Sequence, residues 1–250
     1  MNNGILSQEE IDALMNGDSS SSKKEETKIE NVIQEKLSPT EEDIIGEIGN
    51  ISMSTAATTL SSLLNKKVLI TTPRVSLESF KKIIEECKVP KVVANIDFKE
   101  GLTGQNLLMM DVTDAKIIAD LMMGGDGTKV SENFTELELS AVGEAMNQMI
   151  GSASTSMATM LEKSIDILPP EVDVWDKNEE IQTDKFDLSQ NIVKVSFDLT
   201  VEGLIESEIM QIFTHETVND MISLVMKEEV KEIKTENLKS EEKNINKETN

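Results

Sequence analysis

The sequence predicts an α+β domain with internal pseudo-twofold symmetry, in which two long helices flank a shared, mainly antiparallel sheet. After each copy of a repeated pattern come β-rich segments and then an amphipathic helix. Because neither half has an obvious core of its own, we expect one domain built from two repeats. The repeated residues lie at a constant offset of 97 positions: Ser38/Thr135, Glu41/Glu138, Asp43/Ser140, Glu47/Glu144, Asn50/Asn147 and Pro73/Pro170.

Both copies open with a long helix whose start is marked by a capping box. Ser38 and Thr135 are the predicted N-caps, each followed three residues later by a glutamate, and Pro39 suits the first helical position. Apolar spacing continues the helices to about residues 65 and 162. The middle of each helix is rich in small residues (STAATT and GSASTS), which permits close approach of another backbone.

Three β-rich segments and a closing helix follow each long helix. Short runs of β-branched and apolar residues predict the strands, and apolar residues at helical spacing predict the closing helices. The strands are expected at residues 67–75, 91–98 and 105–111 in the first copy and 165–174, 192–201 and 206–212 in the second, with the closing helices at 113–123 and 216–226.

Residues 1–17 are predicted to form a short amphipathic peptide. Its serine and glutamate form a capping box, apolar residues follow at helical spacing, and a glycine can end the helix. The side chains expected to contact a partner are Ile5, Leu6, Ser7, Glu10, Ile11, Leu14 and Met15. So short a helix is not stable alone, which suits folding in a partner's groove. The alternative is a frayed terminus.

The rest of the chain divides into three zones. Residues 18–36 are polar and charged, as in a flexible linker. Residues 37–226 contain the folded domain, with repeats at 37–125 and 134–226. Residues 227–250 alternate lysine and glutamate with almost no apolar anchor, so we expect a charged, disordered tail.

Composition excludes several classes of function. The net charge of −23 opposes binding to nucleic acid or to an anionic membrane. No apolar run is long enough to span a membrane, and no signal peptide is recognisable, so a cytoplasmic protein is expected. One cysteine (Cys87) and one histidine (His215) exclude an internal disulfide and disfavour a zinc site or a cysteine nucleophile.

Each long helix carries a glutamate and an asparagine three residues apart. Residues at this spacing project from nearly the same face, with Cβ atoms about 5–6 Å apart. Glu47 with Asn50, and Glu144 with Asn147, therefore present a carboxylate beside a carboxamide. An amide cannot act as a base, but it can orient an attacking water. The glutamate can pair with a cation on a partner or serve as a base.

A single E-x-x-N pair is common on a solvated helix face and indicates nothing. Here the pair occurs twice, each time after the same cap and 22 residues before a proline (Pro73 or Pro170), with Asp43 or Ser140 one turn earlier. A duplicated fold keeps its helix caps and its pattern of core residues, but it need not keep an exposed asparagine. The two copies therefore predict two equivalent sites.

The doubled signature [D/S]-x3-E-x2-N-x22-P resembles that of the CheC/CheX/FliY phosphatases of bacterial chemotaxis. The stretches EIGNISMSTAATTLSSLL and EAMNQMIGSASTSMATML resemble the active-site helices of the FliY members, and ILSQEEIDALMNG resembles the N-terminal peptide by which FliM and FliY capture phosphorylated CheY. The resemblance covers roughly residues 4–17 and 37–226. FliM is similar in fold without the paired catalytic residues, so the intact pairs favour the phosphatase branch.

The resemblance implies a CheC-like domain that hydrolyses the aspartyl phosphate of CheY at or near the flagellar motor switch. Glu47 and Glu144 would contact a lysine of CheY, while Asn50 and Asn147 would position the water. The magnesium ion would belong to CheY, so no metal or cofactor is expected in this chain. Phosphorylated CheY is the expected partner; FliM, FliN and FliG are further candidates. The expected location is the cytoplasm, at the face of the flagellar basal body.

Other functions compatible with the sequence differ in class. A non-catalytic switch or adaptor protein would bind phosphorylated CheY through residues 5–17 and pass the signal by docking. A CheC-like protein that engages an adaptation enzyme such as CheD is disfavoured, because CheC proteins typically lack the N-terminal peptide. FliY members end in a FliN-like domain, whereas the residues after Lys227 are too polar to fold as one, so a short or truncated FliY-like chain is expected.

Overall fold

Two long helices pack on one face of a seven-stranded antiparallel sheet. The computed structural model describes residues 36–87, 90–130, 134–175 and 190–227, which form five helices and seven strands. The elements in chain order are α1 (Pro39–Leu64), β1 (Val68–Ser79), α2 (Phe80–Glu86), β2 (Lys91–Glu100), β3 (Gln105–Asp111), α3 (Val112–Met122), α4 (Glu136–Met160), β4 (Asp166–Ile167), β5 (Glu171–Trp175), β6 (Asn191–Val201), β7 (Ile205–Phe213) and α5 (215–227). The predicted peptide lies outside the described residues, as do the linker except Lys36 and the tail except Lys227, and the domain boundaries stay predictions.

Both predicted capping boxes are present. At the start of α1, Ser38 Oγ accepts a hydrogen bond from the Glu41 backbone N–H (3.3 Å), and Glu41 Oε2 accepts one from the Ser38 N–H (2.8 Å). Thr135 and Glu138 make the equivalent bonds at 3.2 and 2.7 Å. These contacts satisfy backbone donors that the first turn of a helix leaves without intrahelical partners. Helix α1 ends at Asn65, which adopts a left-handed conformation with φ of 49°.

The sheet is shared between the two halves of the chain. Its strand order is β1-β6-β7-β3-β2-β4, and β5 also pairs with β2. All of these pairings are antiparallel. The early strands of each half therefore pair with the other half: β1 pairs with β6, and both β4 and β5 pair with β2. The central β3–β7 pair lies where the two halves meet. The predicted α+β fold with a shared antiparallel sheet is confirmed.

The core lies mainly between the helices and one face of the sheet. Buried side chains of α1, α3, α4 and α5 form a single cluster with alternate residues of the strands. A smaller cluster on the opposite face is covered by α2, whose Phe80 is fully buried and packs edge-on against Trp175 with ring centroids 6.2 Å apart. The sheet is thus covered on both faces, and the long helices lie on the side of the larger core.

Two local features differ from the sequence-based expectation. The prediction of one strand over residues 165–174 is wrong, because the segment forms β4 and β5 with Pro169 and Pro170 between them. Proline has no N–H for the ladder, so the strand is interrupted there. The sequence analysis also missed α2. Its N-cap is Ser79, whose side chain accepts from the Lys82 N–H, and its buried residues Phe80 and Ile83 are three apart, as on one helix face.

A cluster of charges around Glu78 joins β1 to β6 and α2. Glu78 Oε1 accepts hydrogen bonds from Lys194 Nζ and Ser76 Oγ, each at 2.8 Å, and Oε2 lies 3.2 Å from Lys82 Nζ. The Glu78 side chain is only 12% exposed. Burial by itself raises the pKa of this carboxyl, but the bonds from Lys194, Ser76 and Lys82 outweigh it and lower the pKa from 4.5 to about 2.

We expect Glu78 to make stability depend on pH. Because its pKa is lower in the folded state than in the unfolded state, the stabilisation is present above about pH 4.5 and is lost as the pH falls towards about 2. Replacing Glu78→Gln should therefore lower the free energy of unfolding by about 3 kcal/mol near pH 7 and by less than about 1 kcal/mol near pH 2. Chemical denaturation of both proteins at the two pH values measures this.

The control for that experiment is Glu85→Gln. Glu85 lies in α2 and pairs with Lys81 at 3.7 Å, with side chains that are 64% and 69% exposed. An exposed pair of this kind contributes about 0.5 kcal/mol or less, so this variant should unfold much like the parent at both pH values. A loss for Glu78→Gln that is equally large at both pH values would contradict the role assigned to its ionisation.

Two glycines of α1 should respond in opposite ways to alanine. A Cβ on Gly46 would lie 3.8 Å from Val75 Cγ2, an ordinary contact, so Gly46→Ala should raise the free energy of unfolding by about 0.5–1 kcal/mol through helix propensity. A Cβ on Gly49 would lie 3.0 Å from the ring of the fully buried Phe197. Gly49→Ala should therefore lower stability by about 1–3 kcal/mol. Thermal and chemical unfolding test this, and equal gains in both variants would contradict the close helix–sheet approach.

Candidate functional site

Each glutamate–asparagine pair lies in an open groove between a long helix and a terminal strand of the sheet. The first groove, of about 340 Å³, lies between α1 and β1, and the second, of about 410 Å³, lies between α4 and β5. All eight residues of the doubled signature line these grooves. The equivalent lining residues are Asp43/Ser140, Gly46/Gly143, Glu47/Glu144, Asn50/Asn147, Pro73/Pro170 and Val75/Val172. The structure thus brings together the side chains that the sequence predicted, although their roles stay predictions.

The paired side chains are accessible from outside the protein. Glu47, Glu144 and Asn147 are exposed, and Asn50 is half-buried. None of the four is buried against the sheet. A carboxylate and an amide presented in this way can contact groups on a second molecule without rearrangement of the core.

A glycine and a valine form the floor of each groove. A Cβ on Gly46 or Gly143 would lie 3.8 or 3.6 Å from a Cγ2 atom of Val75 or Val172, respectively. The edge strand therefore passes close beneath the helix at this glycine. The glycine lies between the turn that carries Asp43 or Ser140 and the turn that carries the asparagine. These four residues were not predicted as part of a site, although they recur at the same offset as the signature.

The signature prolines mark irregular points in the strands that wall the grooves. Pro73 lies within a register shift of β1 between Thr71 and Arg74, and the preceding Thr72 has φ of 60°. Pro170 directly precedes β5. Proline is tolerated in edge strands and at bulges, where a ladder donor is not needed. In each groove the proline therefore lies where the backbone departs from regular pairing.

One contact at the second site has no counterpart at the first. Gln148 Nε2 donates a hydrogen bond to Glu144 Oε1 at 2.6 Å. The position equivalent to Gln148 is Ile51, whose side chain has no polar group. No sequence signal pointed to Gln148, because it lies outside the repeated pattern.

Among the described residues, neither a metal-binding group nor a reactive thiol suggests a second active site. The described ranges contain no group of three or more His, Cys, Asp or Glu side chains placed to hold a metal ion. Burial raises the pKa of the Cys87 thiol, which disfavours a reactive thiolate. No helix in these ranges is both long and apolar enough to cross a membrane. The partner-binding peptide, including Ile5 and Leu14, lies outside the described residues and stays a prediction.

Comparison with known proteins adds independent evidence. The model of the CheC-like family matches residues 41–77 and 137–173, which contain both signatures. The flagellar motor switch phosphatase FliY of Bacillus subtilis (strain 168) is 49% identical over 229 residues, which are 92% of this chain. The chain spans 60% of the length of that relative.

Solved structures give the same result. The crystal structure of Thermotoga maritima FliY is 41% identical, with a TM-score of 0.71, and the match covers 76% of this chain and 98% of that one. A crystal structure of a FliG–FliM complex from H. pylori matches with a TM-score of 0.62 at 13% identity, covering 75% of this chain and 100% of that one. At so low an identity the second match shows the fold alone. From the doubled signature, the shared sheet and the match to FliY, we conclude that the chain belongs to the CheC-like family.

Proposed function

We propose that this chain hydrolyses the aspartyl phosphate of the response regulator CheY. The observation that supports this most strongly is the presentation of a glutamate beside an asparagine in two equivalent open grooves. The B. subtilis relative is named a flagellar motor switch phosphatase, which agrees with a phosphatase activity. Shallow grooves on the protein surface suit a protein substrate better than a small molecule enclosed in a cavity.

In the proposed reaction the glutamate docks the substrate. The carboxylate of Glu47 or Glu144 pairs with a cationic side chain, a lysine, of the phosphorylated partner and so fixes its orientation. Both carboxylates are exposed and can make this contact on docking. The pairing brings the acyl phosphate next to the amide one helical turn away.

The asparagine then positions the water. The amide of Asn50 or Asn147 holds a water in line with the bond between phosphorus and the aspartate oxygen. The water oxygen forms a new bond to phosphorus while that bond breaks. The electron pair leaves with the aspartate carboxylate, and both water protons remain with the released phosphate. The magnesium ion is supplied by CheY, which is itself a proposal.

The proposed place of action is the cytoplasmic face of the flagellar motor switch, with FliM, FliN and FliG as candidate partners. The B. subtilis relative is named a flagellar motor switch phosphatase, which supports this placement. Co-purification of the chain with motor basal bodies tests it. Recovery with CheD instead would favour a CheC-like role away from the motor.

The central prediction concerns the two amides. Changing Asn50→Ala together with Asn147→Ala should reduce phosphate release from phosphorylated CheY by about 10²-fold or more, because the water is no longer aligned. Each single variant should retain activity through the other groove. Decay of CheY labelled with phosphate at its aspartate, followed with and without each protein, measures this.

A matched control uses two threonines at the same offset. Thr58 and Thr155 are exposed and lie eight residues after the two asparagines. Their hydroxyls donate hydrogen bonds to backbone carbonyls four residues earlier, at 3.1 and 3.0 Å. Thr58→Ala with Thr155→Ala should leave turnover unchanged. Full activity in the double asparagine variant, or unchanged CheY decay with the parent protein, would exclude the proposed mechanism.

A further inference from the structure

The charge around the motif glutamate differs between the grooves. In the first groove, Glu42 and Asp43 line the wall together with Glu47. They precede Glu47 by five and four residues, which places them about 6–8 Å away along the helix axis. This is within the Debye length of about 8 Å at physiological ionic strength, so the three carboxylates act together on a cation in the groove.

The second groove is less acidic and more apolar at the same positions. Glu42 and Asp43 are replaced by Leu139 and Ser140, and the remaining acid besides Glu144 is Glu136. Glu136 precedes Glu144 by eight residues, about 12 Å along the axis. The Glu144 carboxylate also shares one oxygen with the Gln148 amide at 2.6 Å.

A neighbouring cation does not cancel this difference. Arg74, next to Pro73, donates hydrogen bonds to Asp198 Oδ1 and Glu208 Oε1, each at 2.8 Å. These contacts lie on the face of the sheet opposite the long helices. The Arg74 guanidinium is therefore matched by two carboxylates of its own. Arg74 does not line the first groove.

We propose that the two grooves dock the phosphorylated substrate through surfaces of different charge. The first recognises a surface that carries several cationic side chains around the phosphoryl group, and Glu42 and Asp43 determine this preference. The second accepts a single cation flanked by apolar surface, which Leu139 and Val172 contact. This inference rests on the proposed function, since it describes how each groove docks the phosphorylated substrate.

The measurable consequence is a difference in salt dependence. Electrostatic attraction between exposed charges weakens as salt increases, and it acts mainly on the association rate. Between ionic strengths of about 0.01 M and 0.1 M the Debye length falls from about 30 Å to about 10 Å. Over this range the kcat/KM of the first groove should fall by about twofold to fivefold more than that of the second, while kcat changes little.

The test uses the whole 250-residue chain with one working groove. Glu144→Ala with Asn147→Ala leaves the first groove, and Glu47→Ala with Asn50→Ala leaves the second. Phosphate release from phosphorylated CheY is measured for each protein across the salt range. Turnover in both proteins with equal salt dependence would overturn this inference and leave the proposed function intact. The absence of turnover in both proteins at every salt concentration would overturn both.

Exchange of the wall residues identifies the cause. In the first-groove protein, Asp43→Ser should remove part of the additional salt dependence, and Glu42→Leu with Asp43→Ser should remove it. In the second-groove protein, Ser140→Asp should introduce a steeper dependence. Ser140 is exposed, so this change does not disturb the core. Salt dependence that does not follow the exchanged side chains would overturn the assignment of these residues.

Discussion

In each half, the strand that lines the groove pairs with the other half of the chain, and both grooves depend on this constraint. Strand β1 follows α1 in sequence but pairs with β6, and β5 follows α4 but pairs with β2. Within the described residues these two strands lie at opposite ends of the sheet, each beneath the helix of its own half. If one half were expressed alone, the strand that lines its groove would have no neighbouring strand to pair with. The duplication therefore maintains the fold as well as the second site.

Close packing of the long helices holds the paired side chains in place. Gly49 allows α1 to approach the buried ring of Phe197, and Thr55 Oγ1 lies 3.2 Å from Ser156 Oγ where α1 meets α4. Capping boxes fix the first turn of each helix, about two turns before Glu47 and Glu144. A docking surface of this kind needs little reorganisation when a partner arrives, because rigid elements orient its side chains.

The sequence predicted four of the five described helices, most strands and the signature residues of both grooves, because these features depend on local rules. Caps, apolar spacing and the repeat offset indicate where α1 and α4 begin and which residues share a face. The pairing of β1 and β5 with strands of the opposite half joins residues that are distant in sequence, and no local pattern encodes it. Helix α2 was missed because its start at Ser79 follows a strand directly, and the contact from Gln148 to Glu144 was missed because it breaks the repeat.

For the proposed hydrolysis, one of the two amides must face a phosphoryl group bound to another protein. The most direct measurement is a crystal structure of this chain with CheY that carries a phosphate mimic on its aspartate. We expect Asn50 or Asn147 to lie within hydrogen-bonding distance of that group or of a water in line with it, and the neighbouring glutamate to contact a lysine. A complex in which CheY docks on the face of the sheet opposite the long helices, with both asparagines left in solvent, would contradict the proposed mechanism.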